Sequence, residues 1–305
     1  MVTFGMQLPI QSQSTIYVRP WEPEAGVAEL VQVAKACEAA GFEYVAVCDH
    51  VAVPADRAEA MSTTWWDTVA TLSYLAAVTE RVRLLSHVYV LPYRHPLAVA
   101  KAWATLDALS GGRAILGVGA GHLEGEFDVL EVSYASRGRL LDEAIDAVRA
   151  ALSDEFPTHH GDRWRFEGLG QRPRPVQPAL PIWVGGSSKP AMRRAAERGD
   201  GWLPQGPPEG GMAAGIDFIR AHRAKTRGDD PIVLGALSGP LHVGEPSWDT
   251  PRCVRGSADK VAGYLRTYAD LGVDQIQVGF VSRSADELCD QIAAFAADVA
   301  PLVNQ

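Results

Sequence analysis

Eight short apolar runs alternate with longer amphipathic segments along the chain, and this alternation limits the fold more than any other feature. Runs that are apolar almost throughout are typical of parallel strands buried on both faces. Parallel neighbours need a long connection, usually a helix. The predicted strands are residues 4–8, 44–48, 82–90, 114–118, 181–184, 201–204, 232–237 and 275–280.

The amphipathic segments between these strands predict the helices. Eight strand–helix units is the number in a TIM barrel, and no Gly-x-Gly-x-x-Gly follows the first strand, as it would in a doubly wound dinucleotide fold. We therefore predict an α/β chain folded as a single (β/α)8 barrel domain over residues 1–305. The predicted helices are residues 24–40, 67–79, 96–109, 137–152, 190–198, 215–227, 257–271 and 285–299.

Two segments, residues 51–64 and 156–179, are too long for this simple alternation. Long loops in compact domains are usually functional. A TIM barrel builds its site at the C-terminal mouth. We therefore predict that both segments are insertion loops at that mouth.

Composition argues against several classes of partner. The net charge is −9, the two signs are interspersed, and no basic block is present, so neither nucleic acid nor an anionic membrane is an expected partner. No stretch approaches the length of a membrane span, and the first ten residues lack a signal-peptide pattern, so we expect a cytoplasmic protein. The four cysteines form no CxxC pair and no zinc spacing, which predicts free thiols and no metal.

Four motifs, in a fixed order, resemble those of the bacterial-luciferase-like, or luciferase-like monooxygenase, family. They are GFEYVAVCDH at 41–50, LPYRHP at 91–96, LDALSGGRAILGVGAG at 106–121, and PIWVGGSS at 181–188 followed by GDGW at 199–202. The resemblance extends over roughly residues 4 to 300, and the ordered set is far more specific than any one motif. It implies a barrel that works with a flavin or a deazaflavin.

The resemblance also favours one cofactor over another. Within the family one branch uses FMN and another uses the deazaflavin coenzyme F420. The third and fourth motifs look more like the F420 branch, and Gly138 follows Arg137 where many FMN enzymes have Arg-Tyr. The resemblance therefore favours coenzyme F420, with FMN as the alternative.

The turn after the fifth predicted strand has the composition of a phosphate cradle. Glycines allow close approach of a ligand, and the first turn of a helix offers free N–H groups and a positive dipole end. The alternative is an ordinary turn in which serine caps the helix. The family resemblance favours the cofactor, and the residues predicted to bind its phosphate are Gly185, Gly186, Ser187 and Ser188.

Asp49 and His50 end the second predicted strand, where a barrel carries its reactive groups. A histidine with a pKa near neutrality can give or take the proton that accompanies hydride transfer. In the F420 dehydrogenases that the chain resembles, the matching Asp contacts the cofactor ring region and the matching His is the acid/base. The alternative is a purely structural pair.

The end of the third predicted strand and the turn after the fourth are the remaining parts of the predicted cofactor site. The resemblance implies a non-proline cis peptide backing the ring, which we place between His87 and Val88. His87 is expected to face the substrate. The residues predicted to lie against the ring are Ser86, His87, Val88, Gly119, Ala120 and Gly121.

His122 stands where relatives often carry Glu or Trp, and we predict that it is catalytic and faces the substrate. Glu124 or Glu126 could supply a carboxylate instead, although a solvated loop is favoured for both. Two adjacent indoles cannot face the same core, so one of Trp65 and Trp66 is expected to line the pocket and the other to contact a second subunit. The alternative is that both cover apolar residues of the loop. The predicted substrate pocket is Trp65, Trp66, Tyr89 and His122.

Three functions follow from these features. The first is an oxidoreductase that moves a hydride between F420 and a small organic substrate. The second is an FMN-dependent monooxygenase supplied with reduced flavin by a separate reductase. The third is a non-catalytic flavin-binding barrel, which the intact loops after strands 2, 4 and 5 argue against. A homodimer is expected by analogy with related barrels.

Overall fold

In a computed structural model, which describes residues 1–15 and 17–305, eight parallel strands close into a barrel in the order β1-β2-β3-β5-β8-β9-β10-β12. The predicted (β/α)8 barrel is therefore confirmed, and each predicted strand is present. The strands are β1 Thr3–Gln7, β2 Tyr44–Val47, β3 Arg83–Ser86, β4 Tyr89–Val90, β5 Ala114–Gly119, β6 His159–His160, β7 Arg165–Phe166, β8 Ile182–Gly185, β9 Gly201–Leu203, β10 Val233–Val243, β11 Val254–Gly256 and β12 Gln275–Phe280.

Helices surround the barrel, and each of the eight predicted segments is helical. Five shorter turns supplement them: 3-10 turns at Glu22–Glu24, Ala55–Arg57, Leu91–Tyr93 and Tyr134–Ser136, and a π turn at Phe295–Val299. The helices are α1 Val27–Ala39, α2 Ala58–Met61, α3 Thr68–Val78, α4 Pro96–Ser110, α5 Glu124–Val129, α6 Arg137–Ser153, α7 Lys189–Arg198, α8 Gly211–Thr226, α9 Ala258–Ala269, α10 Ala285–Ala294 and α11 Ala300–Val303.

The barrel interior is filled by large rings that face glycines. Tyr44 and Trp183 are buried inside the barrel and meet edge to face, with ring centroids 5.7 Å apart. A Cβ atom at Gly5 would overlap the Tyr44 ring, and one at Gly201 would lie 2.6 Å from the Trp183 ring. Alternating large and small residues lets the two layers interdigitate without voids.

The segment at residues 156–179 does not lie at the mouth, so the prediction that it is an insertion loop there was wrong. It leaves the C-terminal end of α6, which lies at the opposite end of the barrel from the mouth. Its strands β6 and β7 pair as an antiparallel hairpin, and Phe166 packs on Ala100 of α4 and Ala147 of α6. Length indicated an insertion, but only the preceding helix decides which end of the barrel the insertion occupies.

The segment at residues 51–64 does lie at the mouth, because it follows the C-terminal end of β2. It folds into the turn Ala55–Arg57 and the short helix α2. The loop after β1 is attached to it: Gln13 donates its backbone N–H to the carbonyl of Thr64 at 3.1 Å. Within residues 1–15 and 17–305, none of the helices is both long and apolar enough to cross a membrane.

Candidate active site

His50 lies just beyond β2, and its imidazole is held in one orientation. Its Nδ1 lies 2.9 Å from Oε2 of Glu126. The Trp65 ring meets it edge to face at a centroid distance of 4.4 Å, and the His122 ring does so at 5.4 Å. The side chain is 8% exposed, and its Nε2 has no hydrogen-bond partner in the described part of the chain. One ring nitrogen is thus fixed and the other is free.

Glu126, in α5, is buried, which corrects the sequence-based expectation of a solvated residue; Glu124 is exposed as expected. Its Oε1 accepts the backbone N–H groups of Val51 at 2.5 Å and Ala52 at 3.1 Å. Burial raises the pKa of Glu126, but the hydrogen bond and charge of His50 and the two backbone donors outweigh it, so the pKa lies below its usual value.

Tyr93 is a further member of the site that the sequence analysis missed. Its hydroxyl donates to Oε2 of Glu126 at 2.9 Å, and its ring meets that of Phe127 edge to face at 4.7 Å. Burial, together with the neighbouring Glu126 carboxylate, raises the pKa of the Tyr93 phenol, so it stays protonated. Tyr93 belongs to the LPYRHP motif, which was the available signal, but the motif alone does not say which of its side chains reaches the mouth.

The Asp49 carboxylate is fully occupied by other groups, so the structure does not support its predicted catalytic and cofactor-binding roles. Arg94 donates to its two oxygens at 2.7 and 2.8 Å. The backbone N–H of Val90 and the hydroxyl of Thr68 donate to it at 2.8 and 3.2 Å. Burial would lower the pKa of Arg94, but the charge and hydrogen bond of Asp49, together with Tyr89 and Asp67, raise it above its usual value. The pair anchors the backbone beside His50.

Ser86 is likewise engaged within the protein rather than at the mouth. Its hydroxyl donates to the carbonyl of Gly117 at 2.8 Å and accepts the N–H of the same residue at 3.0 Å. The side chain is fully buried. These bonds join β3 to β5, so the structure does not support a cofactor contact for Ser86.

The peptide bond between His87 and Val88 is cis, as predicted. The imidazole of His87, however, points into the barrel and is 1% exposed, so the prediction that it faces the substrate was wrong, and no free nitrogen is left for a cofactor. Its Nε2 lies 3.1 Å from the carbonyl of Leu203, and its Nδ1 lies 3.3 Å from Nε2 of Gln277. Burial lowers the pKa of His87 to about 4, so the ring is neutral at pH 7.

Val88 takes the space that the glycines were expected to leave for a cofactor ring. Added Cβ atoms at Gly119 and Gly185 would each overlap its side chain. At Gly121, whose φ is +79°, an added Cβ would lie 2.8 Å from the Phe127 ring. These glycines therefore allow the protein to pack on itself. Val88 and Ala120 are half-buried at the mouth and can still contact a ligand.

The turn between β8 and α7 fits an anion. Gly186 has a φ of +89°, and the helix begins at Lys189. The backbone N–H groups of Ser187, Ser188 and Lys189 donate to no acceptor within the described ranges. Ser188 also caps the helix, since its hydroxyl accepts the N–H of Ala191 at 3.4 Å. The capping interpretation is therefore confirmed, and the N–H groups without acceptors leave the predicted phosphate site compatible with it.

The two tryptophans of the predicted pocket lie in different places. Trp65 lines the mouth beside His50 and donates its Nε1–H to the carbonyl of Ser62 at 3.2 Å. Trp66 instead faces a groove between α1 and α3 of about 380 Å³, which it lines with Val27 and Tyr74. It is therefore not part of the pocket, because successive residues in this extended stretch point to opposite sides.

Tyr89 is also absent from the pocket. Its ring packs against Trp103 at 5.8 Å and under the Arg94 guanidinium at 3.9 Å, and burial raises the pKa of its phenol to about 12. His122, in contrast, is at the mouth as predicted and is exposed. Although part of the His122 side chain is exposed, the surrounding protein partly desolvates its imidazole, and this desolvation and the nearby His50 lower its pKa, against a smaller opposing effect of Glu126.

Comparison with known proteins agrees with this fold. Residues 2–252 match the family described as luciferase-like monooxygenase, and the chain belongs to that family. An uncharacterized protein of Mycobacterium tuberculosis strain H37Rv is 35% identical over 188 residues, which are 58% of this chain and 65% of that relative. The FMNH2-dependent dimethylsulfone monooxygenase of Pseudomonas putida is 32% identical over 154 residues, which are 49% of this chain and 42% of the relative.

A solved structure extends the likeness along the whole chain. An F420-dependent secondary alcohol dehydrogenase in complex with an F420-acetone adduct superimposes with a TM-score of 0.78 at 18% identity, over 100% of this chain and 99% of that one. At this identity the likeness concerns the barrel fold.

Proposed function

We propose that this enzyme moves a hydride between coenzyme F420 and a small organic substrate, with His50 as the proton donor or acceptor. The observation that carries the proposal is the imidazole of His50, held by Glu126 at Nδ1 and free at Nε2, at the mouth of the barrel. A general acid or base must reach the proton it transfers, and only the Nε2 atom is free to do so.

Residues at the mouth fit a cofactor of this kind. The free N–H groups of Ser187, Ser188 and Lys189 would hold its phosphate at the start of α7, and Val88 with Ala120 would form an apolar surface for its ring. When bound, the deazaflavin gives or takes the hydride, which carries two electrons. His50 would transfer the matching proton, and Trp65 would limit the access of water on one side.

An FMN-dependent monooxygenase is the second candidate, supported by the likeness to the Pseudomonas putida enzyme. The same turn would then hold the FMN phosphate, and a separate reductase would supply reduced flavin. The sequence motifs favour F420, since LSGGR-xxx-GVGAG and WVGGSS resemble the F420 branch.

Titration of the purified protein with F420 and, separately, with FMN tests the choice, with fluorescence quenching as the measurement. We expect micromolar binding of F420 and much weaker binding of FMN. Micromolar binding of FMN with none of F420 would replace the first candidate by the second. Binding of neither would contradict both.

A homodimer is part of the proposal. The groove between α1 and α3 exposes Trp66, Tyr74 and Val27 together, and Tyr74 and Val27 are 49% and 46% exposed. An apolar surface of this kind is typical of a protein interface. Light scattering of the purified protein should give a mass twice that of the 32.8 kDa chain. Tyr74→Glu should reduce the measured mass to that of a single chain.

A further inference from the structure

Four hydrogen bonds converge on the two oxygens of Glu126. Backbone N–H groups of Val51 and Ala52 occupy Oε1, and the Tyr93 hydroxyl and Nδ1 of His50 occupy Oε2. A backbone N–H can only donate, so Oε1 carries no proton. A carboxylate that accepts several hydrogen bonds stays ionised, and the pKa of Glu126 is held below its usual value.

An ionised Glu126 offers only acceptors, so Nδ1 of His50 must carry a hydrogen. We infer that Glu126 is a positioning residue that fixes the tautomer of His50, with the proton on Nδ1 and the lone pair on Nε2, where the reacting oxygen of a substrate would bind. This inference rests on the proposed function only for its catalytic consequence. The tautomer itself is a property of the protein without cofactor.

The tautomer decides what His50 can do. The imidazolium form carries Nε2–H towards the mouth and acts as the acid; the neutral form presents the Nε2 lone pair and acts as the base. In the reduction of a carbonyl, reduced F420 would supply the hydride to the carbon, and imidazolium His50 would give its Nε2 proton to the oxygen and become neutral. The reverse balance describes the oxidation of an alcohol. Nδ1 keeps its hydrogen throughout.

Other charged or titratable groups around His50 are compatible with this assignment. Tyr93, on the turn after β4, donates to Glu126 and competes with no atom of the imidazole. His122, on the loop after β5, meets the His50 ring edge to face, and its lowered pKa favours its neutral form. Behind them, Asp49 is neutralised by Arg94.

The substitution Glu126→Gln should reverse the tautomer. The amide oxygen must stay opposite the N–H groups of Val51 and Ala52, so the NH2 group would face Tyr93 and Nδ1 of His50. A donor at that position makes Nδ1 the acceptor and moves the proton of neutral His50 to Nε2. Glu124→Gln is the matched control, because that residue lies on the same helix and is exposed.

Nitrogen-15 NMR of the imidazoles in the cofactor-free protein tests the inference, with His50→Ala used to assign the signal. We expect neutral His50 protonated at Nδ1 in the wild type and in Glu124→Gln, and at Nε2 in Glu126→Gln. Tyr93→Phe should keep the wild-type tautomer, since it leaves Glu126 ionised. Protonation at Nε2 in the wild type, or an unchanged tautomer in a folded Glu126→Gln, would overturn the inference.

Kinetics with whichever cofactor binds provides the second readout. Glu126→Gln should lower kcat/KM by about 100-fold or more and move the pH profile, while cofactor affinity stays near that of Glu124→Gln. A wild-type pH profile at normal rates in a folded Glu126→Gln would contradict the positioning role. Failure of F420 to bind would remove the proposed function but leave the NMR result to decide the tautomer.

Discussion

The carboxylate of Asp49 and the guanidinium of Arg94 form two parallel hydrogen bonds, of 2.7 and 2.8 Å, beside the candidate acid/base His50. The Asp49 side chain is 2% exposed, whereas that of Arg94 is 19% exposed. The strength of such a pair depends on its bidentate geometry and on the exclusion of water. Removing one partner leaves the charge of the other buried without compensation. Asp49 thus orders the mouth rather than reacting in it.

We therefore expect Arg94→Met to lower the free energy of unfolding by about 3 kcal/mol, since it strands the buried Asp49 carboxylate. Urea denaturation at pH 7 measures the change. The control is Arg57→Met, which removes an exposed pair with Asp56 and should cost less than about 0.5 kcal/mol. Equal stabilities of the two variants would show that the Asp49 pair has no such role.

Gly117→Ala should be poorly tolerated, because its Cβ would overlap the backbone carbonyl oxygen of Ser86. Backbone cannot move aside as a flexible side chain can, so we expect a loss of about 3 kcal/mol or a failure to fold. Gly279→Ala is the matched control in barrel strand β12, since no atom lies within 4 Å of its added Cβ. Thermal unfolding separates the two, and similar midpoints would contradict the packing argument.

The buried imidazole of His87 should make stability depend on pH. Its pKa is lowered from 6.5 to about 4 by burial, so between those values the unfolded chain binds the extra proton and stability rises with pH. The contribution of His87 to the free energy of unfolding is fully present above pH 6.5. It is lost as the pH falls towards 4, by about 3 kcal/mol at most. His87→Gln should flatten this slope in denaturation measured from pH 4 to 7.

The control for His87 is His160→Gln, because His160 is exposed on the hairpin. Its pH dependence should follow that of the wild type. A slope in His87→Gln as steep as that of the control would rule out His87 as its source.

Substitution of Ser187 and Ser188, in the turn between β8 and α7, should distinguish helix capping from cofactor binding. Ser188→Ala removes the cap on Ala191 and should lower the free energy of unfolding by about 1 kcal/mol. Ser187→Ala should leave stability unchanged and weaken cofactor binding in the fluorescence titration, because it removes a hydroxyl donor beside the backbone N–H groups that would hold the phosphate. Unchanged affinity in both variants would argue against the cradle as the cofactor site.

His50→Gln should keep cofactor binding and lose turnover, by about 100-fold to 10,000-fold in kcat/KM, because the proton donor is gone. Steady-state kinetics beside the cofactor titration measures both. His122→Gln is the comparison at the same mouth and should lose less. A His50→Gln enzyme with full turnover would remove His50 from the mechanism.

Sequence reasoning was sufficient for the barrel and for the order of its elements. The apolar run at 82–90 is present as β3 and β4, and the family resemblance correctly placed the cis bond between His87 and Val88. Sequence reasoning did not predict the directions of the side chains in this segment. His87 points into the barrel, and Tyr89 points into the helix layer, although both were predicted to belong to the site. The strand is interrupted between β3 and β4, so the alternation of a regular strand does not predict the directions of these side chains.

The sequence by itself determined the (β/α)8 architecture, because burial on both faces of a parallel strand is recorded in the local run of apolar residues. Only the tertiary structure decided which polar groups meet. His50 contacts Glu126 across 76 residues, and Asp49 contacts Arg94 across 45. Those contacts depend on loops from different strands arriving at one mouth, and the free energy of each arises from exclusion of water that no local stretch of sequence records.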